Sequence, residues 1–215
     1  MAAVRRNHDS HPTPGVPAQS SRPTSPTWKP RGSFFSRYAH QVALILRPAR
    51  LDDVSAVGHL HHLSRRSAYR GIVADAALDA VPGPALAAWW TERLTYERDT
   101  HRLTVAERDS ELAGFTYVGP HSDGDPDTGE LYAIHVAPPH QGTGIGAALL
   151  RDALDTMRGH RYDRAVLWVL AENRPARRFY EHSGWRPDGQ RRDSWIGPVL
   201  TPQLRYTRAL PTTDV

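Results

Sequence analysis

Three glycines at alternate positions, within Gln141-Gly142-Thr143-Gly144-Ile145-Gly146, form the stretch with the most chemical content. Glycine lets a backbone turn tightly and lets a ligand approach without a Cβ in the way. An apolar period starts at Ile145 and marks a helix, so the turn's N–H groups gather at a helix N-terminus. Unpaired donors and the helix dipole attract an anion there, and a diphosphate is the natural guest. His135, a few residues upstream, carries an imidazole that titrates near neutrality and could act as a base.

Other chemistries fall away by residue type. The chain has no cysteine, which excludes disulfides, a thiol nucleophile and Cys-bound zinc. Its single lysine, Lys29, lies far from any candidate site, which disfavours a Schiff base. His59, His61 and His62 lack the i, i+4 spacing of helical metal ligands and have no acidic partner, so they read as a polar helix face and no metal is expected.

Three kinds of glycine turn can be compared. A nucleotide-binding P-loop needs Gly-Lys-Ser/Thr, whereas Gly146 is followed by Ala147 and Ala148. A dinucleotide-binding turn is formally met by Gly142, Gly144 and Ala147. Its ribose-binding acid should follow about 20 residues on, at a strand end. Asp163 precedes the next strand and Glu172 comes late, with too little chain beyond it for a dinucleotide sheet. The third pattern, Gln/Arg-x-x-Gly-x-Gly/Ala, is met by Gln141, Gly144 and Gly146.

The elements that must hold this turn can be read from periodicity. A strand is expected at 42–47, ended by Pro48. Asp52 and Asp53 open a helix with Val54, Val57, Leu60 and Leu63 on one face, running to Tyr69 and breaking at Gly71. A second helix holds Leu86, Trp89, Trp90 and Leu94 after Pro82 and Pro84. Strands at 103–107 and 112–118 flank a polar hairpin turn, and 119–129 reads as a loop. A strand at 131–136 stops at Pro138-Pro139. Ile145, Leu149, Ala153 and Met157 then recur every four residues, giving an amphipathic helix. The apolar run 166–170 reads as a buried strand. A helix starts at Pro175 and stops at Gly184, and Trp185 and 204–210 suggest two closing strands. The order predicts an α/β protein of the α+β type, a mixed, mostly antiparallel twisted sheet flanked by helices, with one parallel strand–helix–strand crossover.

With these elements around it, the turn resembles that of the GNAT superfamily of acetyl-CoA-dependent N-acetyltransferases. Asn173, Ala176, Phe179, Tyr180 and Gly184-Trp185 extend the likeness, matching the family's Asn…Ala-x-x-Phe-Tyr…Gly-Phe/Trp pattern. The resemblance covers nearly all of 44–210. It implies acetyl-CoA as cosubstrate, bound by the backbone of Ile134, His135 and Val136, by Gln141, Gly142, Thr143, Gly144, Ile145 and Gly146, and by Asn173, Ala176 and Tyr180. It implies Tyr180 as the group facing the departing sulfur, with core packing as its competitor, and Glu130 as a base, with an exposed carboxylate at a strand start as its competitor; alternation puts Glu130, Tyr132 and Ile134 on one strand face. Tyr69, Trp89 and Trp90 fall where the family builds its acceptor pocket, with core packing as the competing reading. Asn173 has helix N-capping as its competitor.

The expected acceptor is a small-molecule primary amine. A protein N-terminus or lysine is the alternative, and a non-catalytic acyl-CoA-binding regulator is a reading of another class. Residues 1–43 carry +5 of the net +4, leaving −1 on the rest, so no basic face and no nucleic-acid partner is expected. That stretch is rich in Pro and Ser without hydrophobic period and reads as a disordered basic tail; 44–210 is the domain and 211–215 a C-terminal tail. No apolar run spans a bilayer and no h-region follows Arg5 and Arg6, so no membrane partner is expected and the cytoplasm is the default location. A homodimer is possible by resemblance, with no sequence feature supporting it.

Overall fold

The computed structural model describes residues 43–211. The tails expected at 1–43 and 211–215 lie outside them but for residues 43 and 211. Seven strands among the described residues form one sheet: β1 (Ile45–Pro48), β2 (Arg102–Arg108), β3 (Glu111–Pro120), β4 (Thr128–Val136), β5 (Arg164–Leu170), β6 (Arg186–Ile196) and β7 (Val199–Ala209). Their spatial order is β1-β2-β3-β4-β5-β7-β6. Only the β4–β5 pair is parallel; the others run antiparallel. A dinucleotide-binding sheet, built from parallel strands, is thereby excluded.

Local chemistry explains most of these elements. Asp109 and Ser110 sit at φ 55° and 64°, a two-residue hairpin turn whose twist suits the β2–β3 ribbon. Helix α4 (Ile145–Gly159) buries Ile145, Leu149, Leu150, Ala153, Leu154 and Met157, the stripe expected at a four-residue spacing. It supplies the crossover between β4 and β5. Helix α5 (Arg174–His182) begins with Pro in its first turn, and Asn173 Oδ1 caps it by accepting from Ala176 N at 3.3 Å.

The two sheet faces have separate cores. On one, α4 and α5 pack Leu150, Leu154, Met157 and Tyr180 against Leu131, Leu167, Val169 and Tyr206, with Trp185 sealed beneath. On the other, α1 (Val54–Ala68) and α3 (Gly83–Tyr96) pack Val57, Leu60 and Trp90 against Leu103, Val105, Phe115 and Tyr117.

Several expectations are corrected. Leu63 is 42% exposed, while Ser64 and Arg65 are buried in its place. A three-residue spacing drifts around a 3.6-residue helix, so the buried stripe must take a four-residue step. A short helix, α2 (Asp75–Asp79), was not anticipated. Gly119 and Gly129 lie in strands rather than in a loop. A Cβ at Gly119 would meet His101 Cδ2 at 2.0 Å, and one at Gly129 would meet Tyr162 Cδ2 at 2.7 Å. Glycine there makes room for an aromatic ring, a need that composition reports as a turn.

Candidate active site

The strands β4 and β5 pair only from Thr128↔Arg164 to Leu131↔Leu167, and then part. A bulge causes the bend: Val118 faces Leu131 and Tyr117 faces Ala133, which leaves Tyr132 as the extra residue. Residues 133–136 keep their β3 partners on one edge. On the other edge the backbone of 132–136 faces a split in the sheet, with no strand partner among the described residues.

The bulge also resets the side-chain alternation. Tyr132 leans toward His101 and Tyr117, with ring centroids 5.4 and 5.9 Å away. Glu130 lies on that same face. Ile134 lies on the α4 face, packed with Ile145 and Leu149. The expected alignment of Glu130, Tyr132 and Ile134 on one face is therefore corrected, because one inserted residue inverts everything after it. Ile145 is buried and Ile134 and Val136 are partly buried against the same cluster, so what these residues offer a ligand is chiefly backbone.

At the top of the split lies the glycine turn. Gly142 and Gly144 sit at φ 76° and 89°, where side chains are strained, and a Cβ on either would meet no protein atom within 4 Å. Gln141 Nε2 donates to Val136 O at 3.3 Å and Thr143 Oγ1 to His140 O at 2.7 Å, which fixes the loop. Among the described residues no backbone carbonyl accepts from the N–H of Gly142, Thr143, Gly144, Ile145 or Gly146. Gly146 differs: a Cβ there would touch Val136 and Phe179 at an ordinary 3.6–3.7 Å. The turn thus offers open space and unpaired donors together, as a diphosphate requires.

Two phenols approach the split from opposite faces. Tyr180, from α5, is 8% exposed beside Phe179, Trp185 and Tyr206. Burial, and then the nearby Tyr69 hydroxyl, holds its phenol well above the usual range. Tyr69 caps the C-terminus of α1 and is itself raised by burial. Ala176 packs against the same cluster as Tyr180. Asn173 is 6% exposed and spends Oδ1 on its cap, so the capping reading holds and Nδ2 is the donor left for a ligand.

On the α1 face, Glu130 is 2% exposed, not the exposed strand-start carboxylate that sequence allowed. Its Oε2 accepts from His121 Nδ1 (2.9 Å), Ser122 Oγ (3.1 Å) and Ser122 N (3.3 Å). Nε2 of His121 lies 3.2 Å from Asp123 Oδ2, and Asp123 is 69% exposed. A buried carboxylate is therefore wired to the surface through one imidazole. His121 carried no sequence signal beyond its type.

The imidazole of His135 packs 4.4 Å from His61 and 5.1 Å from Phe115, with Nδ1 2.8 Å from Ser64 Oγ. Burial and then the Arg65 cation push it down to about 3. A ring that stays neutral through the working range is a poor base for an ammonium ion, which counts against its candidacy. Burial likewise depresses His61, which accepts from Trp90 Nε1 at 3.2 Å. It lines the interior and does not lie on a polar helix face. Trp90 is core, whereas Trp89 is 40% exposed under the Arg93 guanidinium. A cavity of about 610 Å³ opens elsewhere, among Arg50, Arg93, His101 and Leu103, and shares no residue with the turn or the split.

A split parallel pair opening onto an anion-binding turn is the architecture of an acyl-CoA-binding transferase. Residues 69–185 match the family model described as the acetyltransferase (GNAT) family. A probable N-acetyltransferase of Mycobacterium tuberculosis is 30% identical over 167 residues, covering 75% of this chain and 91% of that protein. A mycothiol acetyltransferase of Beutenbergia cavernae is 45% identical over 80 residues, 31% of this chain but only 27% of that protein's length. The fold is shared with the PaiA N-acetyltransferase of Thermoplasma acidophilum, solved in complex with coenzyme A (TM-score 0.66, 16% identity, 78% of this chain and 99% of that one). The chain belongs to the GNAT acetyltransferase family.

Proposed function

We propose that the chain transfers the acetyl group of acetyl-CoA to a primary amine of a small molecule, in the cytoplasm, by direct attack within a ternary complex. The observation that carries this reading is the split of β4 from β5 beneath the unpaired amides of the glycine turn. The residues fit the cosubstrate: the turn's N–H groups suit a diphosphate, and the open edge of residues 132–136 suits the amide-bearing pantetheine arm. Acetyl-CoA supplies an acyl group activated as a thioester. The chain supplies the rest. A backbone N–H on the open edge of 134–136 stabilises negative charge developing on the acyl oxygen. Glu130 takes the amine's proton through water, and His121 and Asp123 carry it outward. Tyr180 donates a hydrogen bond to the leaving sulfur.

A panel of amines screened for CoA release tests the reading, with acetyl-CoA binding followed by calorimetry. Gly144→Val forces a β-branched residue into a left-handed conformation and fills the ligand's space. Loss of several charge-assisted bonds, at about 1.5–3 kcal/mol each, should weaken acetyl-CoA binding by orders of magnitude. Acetyl-CoA binding without CoA release from any amine would support a regulator instead. Tight NADH binding with no acetyl-CoA binding would overturn both.

A further inference from the structure

Trp168 is the first β5 residue beyond the last pair with β4, so it flanks the split opposite Tyr132. It points away from Leu167 and Val169, which belong to the α4–α5 core, and hence toward the face that holds Glu130. Two guanidinium groups lie against its ring: Arg192 of β6 at 4.2 Å from the centroid and Arg205 of β7 at 5.8 Å. They differ in what else they hold. Arg205 Nε is 2.7 Å from Asp188 Oδ2, and Asp123 lies 3.9 Å from Nη1. Arg192 spends only Nε, on Gln203 Oε1 at 2.8 Å, and has no carboxylate within 4.0 Å among the described residues. Among the described residues its two Nη groups meet no acceptor, leaving a fork of donors.

The groups facing this fork are acidic on one side. Glu130, Asp123 and Tyr132 are near enough to act on the Arg192 charge, yet Glu130 and Asp123 are already engaged with His121. The acceptor side of the split therefore has two poles, a carboxylate pole at Glu130 and an unpaired guanidinium pole at Arg192, with Trp168 between them. A neutral or purely cationic amine would leave the second pole unused. A zwitterion would use both, its ammonium toward Glu130 and its carboxylate on the planar fork, a geometry that suits bidentate pairing.

We propose that the acceptor is a small amine that also bears a carboxylate, and that Arg192 selects it. This inference rests on the acetyl-transfer reading of the same site. The test uses matched acceptors in the CoA-release assay: amino acids, their amides and the corresponding decarboxylated amines. The wild-type chain should favour the carboxylate-bearing member by about 10- to 100-fold in kcat/KM. Arg192→Gln should remove that preference by raising KM for the amino acid, while the amide is used as before and acetyl-CoA affinity is kept. Equal use of amino acid and amide by the wild-type chain would overturn the assignment and leave acetyl transfer standing. Equal losses on both acceptors in Arg192→Gln would also overturn it. Acetyl-CoA binding with no turnover of any amine would sink acetyl transfer itself, and this inference with it.

Discussion

The hydroxyl of Tyr180 meets the site with its proton firmly held. Burial keeps its phenol well above the usual range, whereas an alkyl thiol ionises near ~8.5. Full proton transfer from such a phenol to a departing thiolate would be uphill. A hydrogen bond to the charged sulfur remains favourable and contributes about 1.5–3 kcal/mol. Tyr180→Phe keeps the ring against Trp185 and Tyr206 and removes only that bond. We therefore expect kcat to fall by about 10- to 100-fold with acetyl-CoA affinity nearly unchanged, measured by single-turnover kinetics beside calorimetry. An unchanged chemical step would reduce Tyr180 to packing. Glu130→Gln should show a deficit that shrinks from about pH 6 to pH 9.5 as more amine is already neutral. A deficit constant across that range would assign Glu130 a purely structural role beneath the split.

Helices α1 and α3 meet at a glycine. A Cβ at Gly58 would lie 2.5 Å from Ala87 N and 2.7 Å from Ala87 Cα and Gly83 O, all backbone atoms that cannot swing aside. Propensity alone predicts that Gly58→Ala stabilises α1 by about 1 kcal/mol. The contact predicts the opposite, a loss of about 1–3 kcal/mol from forcing two helices apart, or roughly 3–10 °C in Tm. The contact should win, because rigid backbone lies on the far side. Since α1 holds Ser64 against His135 and ends on Tyr69, the acceptor KM should rise with little change in acetyl-CoA binding. A raised Tm in thermal unfolding would show that the helices can separate cheaply.

Over the whole molecule, two neutral histidines tie stability to mild acid. His135 has a folded value of about 3 against an ordinary 6.5, and His61 shifts the same way. Below pH 6.5 the unfolded chain binds protons that the native state refuses. Stability is thus fully present above that pH and, for His135, is lost as pH falls toward 3, at about 1.4 kcal/mol per pH unit, with His61 adding a loss of the same sign. Carboxylates act lower: Asp53, held down first by its hydrogen bond to Arg47, contributes stability that is lost only below its ordinary 3.8. Denaturant titrations at pH 7, 6, 5 and 4 should show the steeper loss between 6 and 4, and His135→Gln should flatten it. A flat wild-type profile over that range would mean that the two rings can charge in place.

Periodicity and turn chemistry determined much from the sequence alone. Glycine spacing before an apolar four-residue repeat fixed a strand–turn–helix, and Asn173 with Pro175 marked the start of α5, because such signals act between residues close along the chain. The bulge at Tyr132 was not legible, since it exists only through pairing with Tyr117 and Val118. It inverted the face of Ile134 and set the point at which β4 and β5 part. The partnership of Glu130 with His121, the burial of His135 and the meeting of Trp168 with Arg192 were likewise decided by tertiary structure. Each depends on how distant strands register and on what surrounds a group in three dimensions, and water exclusion, which sets the charge of His135, has no counterpart in the order of residues.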